Sequence, residues 1–204
     1  MVHGFLANRA MLTILGRRLR ARGFMTRTWG YWNMQCSVLV HAERFARELE
    51  ALDREPGFDT IHLVAHSMGC IIGRAALDQY RPRKMGRFVM LAPPNRGSFV
   101  ATATAGTFGR LLHPVRELST ARGSLVNRLP TPQDIDIGVI AAKHDALVAA
   151  DSTHPEAPHS HVTLETWHTG LLFRRETADL VAGFLSTGEF PSPAAIRHGP
   201  PGAG

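Results

Sequence analysis

The sequence predicts an α/β domain whose mostly parallel sheet is flanked by helices. Four short apolar runs favour strands, and the segments between them carry apolar residues at helical spacing. The first run, "TIHLVA", is apolar almost throughout, which is typical of a parallel strand covered on both faces. Strands that alternate with helices favour a parallel sheet. The predicted strands are residues 60–65, 87–92, 136–142 and 161–165.

Four amphipathic segments predict the main helices. The first covers 10–22, ends at Gly23, and places Met11, Leu12, Leu15 and Leu19 on one face. Ser37 is a predicted N-cap for the second. Its apolar stripe comprises Leu39, Ala42, Phe45, Leu49 and Leu52. A third helix follows Ser67, and a fourth covers about 176–185.

The length of 204 residues and the hydrophobic content of 44% fit one domain. We expect that domain over 1–186, with 94–133 as a helical lid or cap insertion, since insertions of this length are commonly binding elements. Residues 187–204, rich in Pro and Gly, predict a flexible tail.

Composition excludes several classes of protein. The 23 Lys and Arg against 17 Asp and Glu give a net charge of +6, but the basic residues are scattered, so we predict a solvated surface and no nucleic-acid partner. Two cysteines do not make a disulfide framework. No apolar run approaches the roughly 18 residues of a transmembrane segment. Oligomeric state and compartment stay open, with the cytoplasm as the default expectation.

Polar residues suited to nucleophilic catalysis follow the predicted strands. Ser67 follows the first, Asp145 the third and His168 the fourth, while His3 and Gly4 lie at the start of the chain. Reactive groups of open α/β sheets collect at the carboxyl ends of the strands. A serine hydroxyl is a weak nucleophile that needs a base, and the base needs an acid to orient it. These residues therefore predict a Ser-His-Asp triad.

The predicted turn at Ser67 favours catalysis as well. A sharp strand-to-helix turn requires small residues two positions on either side, and Ala65 and Gly69 are small. Met68 would then lie at a helix N-terminus, where its backbone N–H favours a developing negative charge.

Five motifs together resemble the α/β-hydrolase superfamily, and within it the bacterial lipase-like and esterase-like members. "AHSMG" is similar to its nucleophile elbow, with Ala65 in place of the usual first Gly. "VHGF" resembles its oxyanion loop, "FVMLAPPNRGS" the strand and loop after the nucleophile, "IGVIAAKHDALV" the acid-bearing turn, and "WHTGLL" the histidine loop. The resemblance covers residues 2 to about 186.

The resemblance implies a serine hydrolase that cleaves carboxylic esters through an acyl-enzyme. It assigns Ser67 as nucleophile, His168 as base and Asp145 as acid, with the backbone N–H groups of Phe5 and Met68 as the oxyanion hole. No cofactor is needed, and the substrate would be a small or lipid-like ester. A thioesterase, amidase or acyltransferase with the same triad, or a non-catalytic binding protein, are the alternatives.

Other residues compete for these roles. Asp151 and Asp136 are weaker candidates for the acid, and His159 and His161 for the base. We expect His66 to pack and orient, and His3 to hold the oxyanion loop. A metal site in "STHPEAPHSH" is conceivable, but its spacing matches no tetrahedral pattern, so we predict no metal.

The start "MVHGF" lacks the apolar strand that normally leads into the His-Gly motif of this superfamily. Without it, the strand before Ser67 would have an unpaired edge. We expect either that coding sequence lies upstream, which we favour and which could include a targeting or anchor segment, or that this is a short form that is destabilised or pairs with a partner.

Overall fold

Within the described residues, four parallel strands form one sheet with the order β1-β2-β3-β4. They are β1 (Ile61–His66), β2 (Met85–Leu91), β3 (Ile137–Ala142) and β4 (Ser160–Leu164). The computed structural model describes residues 1–5, 7–31, 36–98, 117–121 and 123–192. Val64 pairs with Val89, Val89 with Gly138 and Gly138 with Ser160, so these four residues form one row across the sheet. The predicted parallel α/β architecture is confirmed.

Helices cover both faces of this sheet. They are α1 (Thr13–Arg20), α2 (Val38–Arg54), α3 (Met68–Gln79), the short α4 (Leu125–Arg128) and α5 (Arg175–Thr187). Single 3-10 turns occupy Arg9–Leu12, Ala150–Thr153 and His168–Phe173. The Ser37 hydroxyl accepts a hydrogen bond from the Val40 N–H at 3.3 Å, so it caps α2 as its sequence position predicts.

The alternation of side chains along the strands divides the core into two layers. Leu63, Ala65, Phe88 and Met90 pack with α2 and α3 on one face. Val64, Val89 and Leu91 pack with α1 and α5 on the other. Burial on both faces explains why β3 and the carboxyl-terminal parts of β1 and β2 are almost entirely apolar. The prediction that Leu39 belongs to the buried stripe of α2 is wrong: Leu39 is 44% exposed, and Val38 takes the core position.

Two predicted segments lie mainly or partly outside the described residues. Within the 94–133 insertion, residues 99–116 and 122 are outside them, and the remainder includes α4 and a bridge between Ser98 and Ser119. Of the 187–204 tail, residues 193–204 are outside them, whereas Phe190 packs on Phe184 with their rings 4.9 Å apart. Among the helices of the described chain, none has the length and apolarity to cross a membrane.

A buried carboxylate joins α2 to the turn before β2. The side chain of Asp53 is 1% exposed. It accepts hydrogen bonds from the Lys84 N–H at 3.0 Å and the Tyr80 hydroxyl at 2.9 Å, and Arg83 approaches at 3.4 Å. The backbone hydrogen bond from Lys84 is the largest influence on its pKa, which falls from 3.8 to about 2.

Because its folded pKa is depressed, Asp53 stabilises the fold fully above pH 3.8, and this contribution is lost as the pH falls toward 2. We therefore expect Asp53→Asn to lower the melting temperature at pH 7. We also expect the variant to lose less stability than the parent as the pH falls from 3.8 to about 2. Thermal unfolding at a series of pH values measures both effects. Asp134→Asn is the control, because Asp134 is 74% exposed in its pair with Arg81. Equal melting temperatures for the two variants would contradict this account of Asp53.

Candidate active site

Ser67 occupies a strained turn between β1 and α3. Its backbone has φ 54° and ψ −127°, a conformation that costs a non-glycine residue about 1–3 kcal/mol. The neighbouring strand holds it, because the Ser67 N–H donates to the Leu91 carbonyl at 2.8 Å. The turn closes where Cys70 N–H donates to the Ser67 carbonyl at 2.9 Å. Ser67 therefore lies at the carboxyl edge of the sheet, directly before the first turn of α3.

Glycines allow the N-terminal loop to pack against this turn. A Cβ on Gly69 would lie 2.6 Å from the His3 carbonyl oxygen and 2.9 Å from that of Val2. A Cβ on Gly4 would lie 2.8 Å from the Ser67 Cβ. Neither position has space for a side chain, so the loop reaches Ser67 only because both residues are glycine. Ala65, two residues before Ser67, is 1% exposed and packs in the core.

Hydrogen bonds fix the loop on both of its sides. Val2 pairs with β1, donating to the Val64 carbonyl and accepting from the His66 N–H, both at 3.0 Å. The His3 Nδ1–H donates to the Gly4 carbonyl at 2.9 Å, and its Nε2 accepts from the Tyr31 N–H at 3.3 Å. Burial lowers the pKa of His3, which favours this neutral form. His3 thus lies where a residue that holds the loop is expected.

Tyr31 is a residue that sequence reasoning missed. Its hydroxyl donates to the His3 carbonyl at 3.0 Å, and the two rings stack with their centroids 4.4 Å apart.

Met68 is the first residue of α3, so its N–H has no acceptor within the helix. Phe5, the other predicted oxyanion donor, lies in the turn that follows Gly4 and packs partly against the core.

Asp145 and His168 are directly hydrogen-bonded, with His168 Nδ1 2.7 Å from Asp145 Oδ2. Their side chains are 9% (His168) and 2% (Asp145) exposed. The other carboxylate oxygen accepts from the backbone N–H groups of Leu147 at 2.8 Å and Val148 at 3.0 Å. Burial raises the pKa of Asp145, but these hydrogen bonds outweigh it and hold the pKa below 3.8. The ionised carboxylate only accepts, so Nδ1 carries a proton, and in the neutral tautomer of the ring Nε2 has the lone pair.

His66 connects this pair to the serine turn. Its Nε2 donates to the His168 carbonyl at 3.1 Å, and the two imidazole rings lie 4.8 Å apart. Burial is the main cause that lowers the pKa of His66 to about 3, so the ring is neutral near pH 7. Its Nδ1 is buried and has no hydrogen-bond partner in the part of the chain that the structure describes. The residue directly before Ser67 therefore contacts the backbone of His168.

The competing acids and bases lie elsewhere. Asp136 pairs with Arg87 at the amino end of β3, with Oδ2 3.0 Å from Nε. Asp151 is exposed in the turn Ala150–Thr153. His161 bonds to Thr153 at 2.9 Å, and His159 bonds to His154 at 2.9 Å. Across the described ranges, no three His, Cys, Asp or Glu side chains are placed to hold one metal ion.

A family model described as the alpha/beta hydrolase fold matches residues 1–152. This chain belongs to the α/β-hydrolase family. No curated protein matches this α/β-hydrolase. The match includes Ser67 and Asp145, and it ends before His168.

Solved structures of two lipases and a pyrethroid hydrolase share the fold of this α/β-hydrolase. The mature lipase BlEst2 of Bacillus licheniformis is 14% identical, with a TM-score of 0.70 over 92% of this chain and 89% of that one. A monoacylglycerol lipase of Paleococcus ferrophilus is 14% identical, with a TM-score of 0.55 over 82% and 84%. The pyrethroid hydrolase PytH is 16% identical, with a TM-score of 0.58 over 91% and 96%. The shared family and fold support a hydrolase.

Gly69→Ala tests the contact between the loop and the serine turn. The added Cβ meets backbone oxygens that have little freedom, so the loop must shift by about 1 Å, which we expect to lower kcat about 100-fold on an activated ester. Gly73→Ala is the matched control on the same helix. The atoms nearest to its Cβ would be side-chain atoms of Phe88 and Leu63. Steady-state kinetics and melting temperatures separate the two effects, and equal kcat values in both variants would refute the role of the contact.

Proposed function

We propose that this α/β-hydrolase cleaves carboxylic esters with Ser67, His168 and Asp145 as its catalytic triad. The observation that carries the proposal is that the N-terminal loop and the histidine loop both contact the turn that holds Ser67. Ser67 lies in a positive-φ turn, Gly4 of the N-terminal loop packs against it, and His66 beside it bonds to the backbone of His168. The imidazole of His168 is in turn held by a buried carboxylate.

In this mechanism the Ser67 Oγ attacks the ester carbonyl while His168 Nε2 takes the hydroxyl proton. Asp145 stabilises the imidazolium that forms and keeps Nδ1 protonated. Collapse of the tetrahedral intermediate breaks the ester C–O bond, and the imidazolium returns its proton to the leaving alcohol. Water, deprotonated by His168, then attacks the acyl-enzyme and releases the acid and free Ser67.

The backbone N–H groups of Phe5 and Met68 serve as the oxyanion hole of the proposal. Met68 supplies an N–H at the N-terminus of α3, where the helix dipole favours negative charge. Phe5 follows Gly4, whose contact with Ser67 brings that loop to the reacting centre. Such donors are each worth about 10²–10³ in kcat in acyl transfer.

An apolar ester is the substrate class we favour. Three large apolar side chains near His168 and Asp145 in the chain are exposed: Trp167 at 68%, Phe173 at 43% and Leu147 at 42%. They flank His168 and Asp145 in the chain and offer surface to an apolar acyl or alcohol group. Two of the structural relatives are named as lipases, which agrees with this choice.

A fluorophosphonate probe tests the nucleophile. We expect the folded protein to react at Ser67 alone, as mapped by mass spectrometry of its peptides, because the probe requires a serine activated by a base. Ser67→Ala and His168→Ala should both abolish the label. Labelling of another residue, or no label on the folded chain, would overturn the proposal.

Asp145→Asn tests the acid. The amide cannot hold the imidazole in the Nδ1–H tautomer, so we expect kcat for an activated ester to fall by about 10³–10⁴. Asp151→Asn is the matched control, because Asp151 is exposed and lies further along the same loop. We expect it to change kcat less than about twofold. The assignment fails if Asp151→Asn is the variant that loses activity.

A further inference from the structure

The loop that follows β2 carries the sequence "APPNRGS" and has no part in the proposed mechanism. We call residues 92–98 the β2 loop. Its first residue, Ala92, is fully buried and has a φ of 45°, in a region that non-glycine residues rarely occupy. The Ala92 N–H donates to the Ile140 carbonyl of β3 at 2.9 Å, which holds this turn. Backbone strain of this kind clusters at functional sites, so the β2 loop is a candidate for a functional role.

The β2 loop is hydrogen-bonded to the loop that carries Asp145. We call residues 145–153 the acid loop. Each contact joins a donor of the β2 loop to a backbone carbonyl of the acid loop. The pairs are Ser98 Oγ with Leu147 at 2.7 Å, Arg96 N with Ser152 at 3.0 Å, and Asn95 Nδ2 with Thr153 at 2.7 Å. The β2 loop therefore holds the acid loop near both of its ends.

The contact of Ser98 differs from the other two because it acts on the peptide unit that holds the acid. The Leu147 carbonyl and the Val148 N–H belong to one planar trans peptide, so they point in opposite directions. The carbonyl accepts from Ser98, and the N–H donates to Asp145 Oδ1 at 3.0 Å. Asp145 Oδ2 lies 2.7 Å from His168 Nδ1. Three hydrogen bonds thus connect Ser98 to His168 through one rigid peptide, and each polarises the next.

We propose that Ser98 is a positioning residue for the catalytic acid: its hydroxyl fixes the Leu147–Val148 peptide so that the Val148 N–H holds the Asp145 carboxylate against His168. This inference rests on the proposed function, because it takes Asp145 as the acid of the triad. Without the hydroxyl, the Leu147 carbonyl would lose this partner, and the peptide would rotate toward water to regain one. The same rotation would turn the Val148 N–H away from the carboxylate.

Asn95 supplies a matched control on the same loop. Its side chain is buried, its Oδ1 accepts from Arg74 Nη1 at 3.0 Å, and its Nδ2 donates to the Thr153 carbonyl. That carbonyl lies at the end of the turn Ala150–Thr153, away from the peptide that holds the acid. Asn95→Ala should therefore loosen this turn and leave the Leu147–Val148 peptide in place.

Amide hydrogen exchange measured by NMR on the full chain tests the proposal independently of activity. We expect Ser98→Ala to speed exchange of the Val148 amide about tenfold or more, and to change that of Ser152 less than about twofold. The Ser152 N–H donates to the Ala149 carbonyl at 2.9 Å, in the part of the acid loop that Asn95 holds. Asn95→Ala should do the reverse. Equal acceleration of both amides in both variants would overturn the proposal, because Ser98 would then only stabilise the loop.

Steady-state kinetics on an activated ester test the consequence for catalysis. We expect Ser98→Ala to lower kcat about tenfold with KM nearly unchanged, because the acid acts in the transition state and not in binding of the ester. Ser98→Thr keeps the hydroxyl and should restore most of kcat. Asn95→Ala should lower the melting temperature at least as much as Ser98→Ala does, but should keep kcat within about threefold of the parent. An equal loss of kcat in the two alanine variants would overturn the positioning role.

The two measurements separate this inference from the proposed function. If the parent protein shows no ester turnover that depends on Ser67, the proposed function fails, and the exchange of the Val148 amide still decides whether Ser98 holds Asp145. If Ser98→Ala keeps the full kcat of the parent, the inference is refuted and the assignment of the triad stands.

Discussion

The close contact between the N-terminal loop and the serine turn is the constraint on which the rest of the site depends. Because Gly4 has no Cβ, its backbone approaches the Ser67 Cβ more closely than a side chain would permit. Because Gly69 has no Cβ, the carbonyl groups of Val2 and His3 approach its backbone in the same way. Val2 fixes the position of the loop along β1 through its hydrogen bonds to that strand. The hydrogen bonds between His3 and Tyr31 fix the orientation of the loop. The strain at Ser67 persists because the surrounding hydrogen bonds leave the turn no alternative.

The parallel sheet supplies the remaining geometry. Its aligned strands bring three turns, each distant in the chain, to the same edge, and each turn contributes one polar group. The buried charge of Asp145 is tolerated because two backbone N–H groups and one imidazole satisfy it. His66 then joins the Ser67 turn to the backbone of His168 through one hydrogen bond.

Sequence patterns predicted β3 and the carboxyl-terminal parts of β1 and β2 well, because burial on both faces leaves these segments almost entirely apolar. Which face of α2 is buried was harder to predict. Val38 and Leu39 are adjacent apolar residues, and only tertiary packing decides which of them is buried. Tyr31 was missed because its partner His3 lies 28 residues away and no local pattern connects them. Asp53 was missed for a similar reason, since its backbone partner Lys84 is brought near only by the sheet.

Trapping the acyl-enzyme tests the central claim most directly. The protein would be mixed rapidly with p-nitrophenyl acetate, quenched in acid and mapped by mass spectrometry. The account predicts a burst of about one p-nitrophenolate per chain, with a single acetyl group on Ser67. Steady ester turnover by the folded protein with no burst, or with the acetyl group on a different residue, would contradict it.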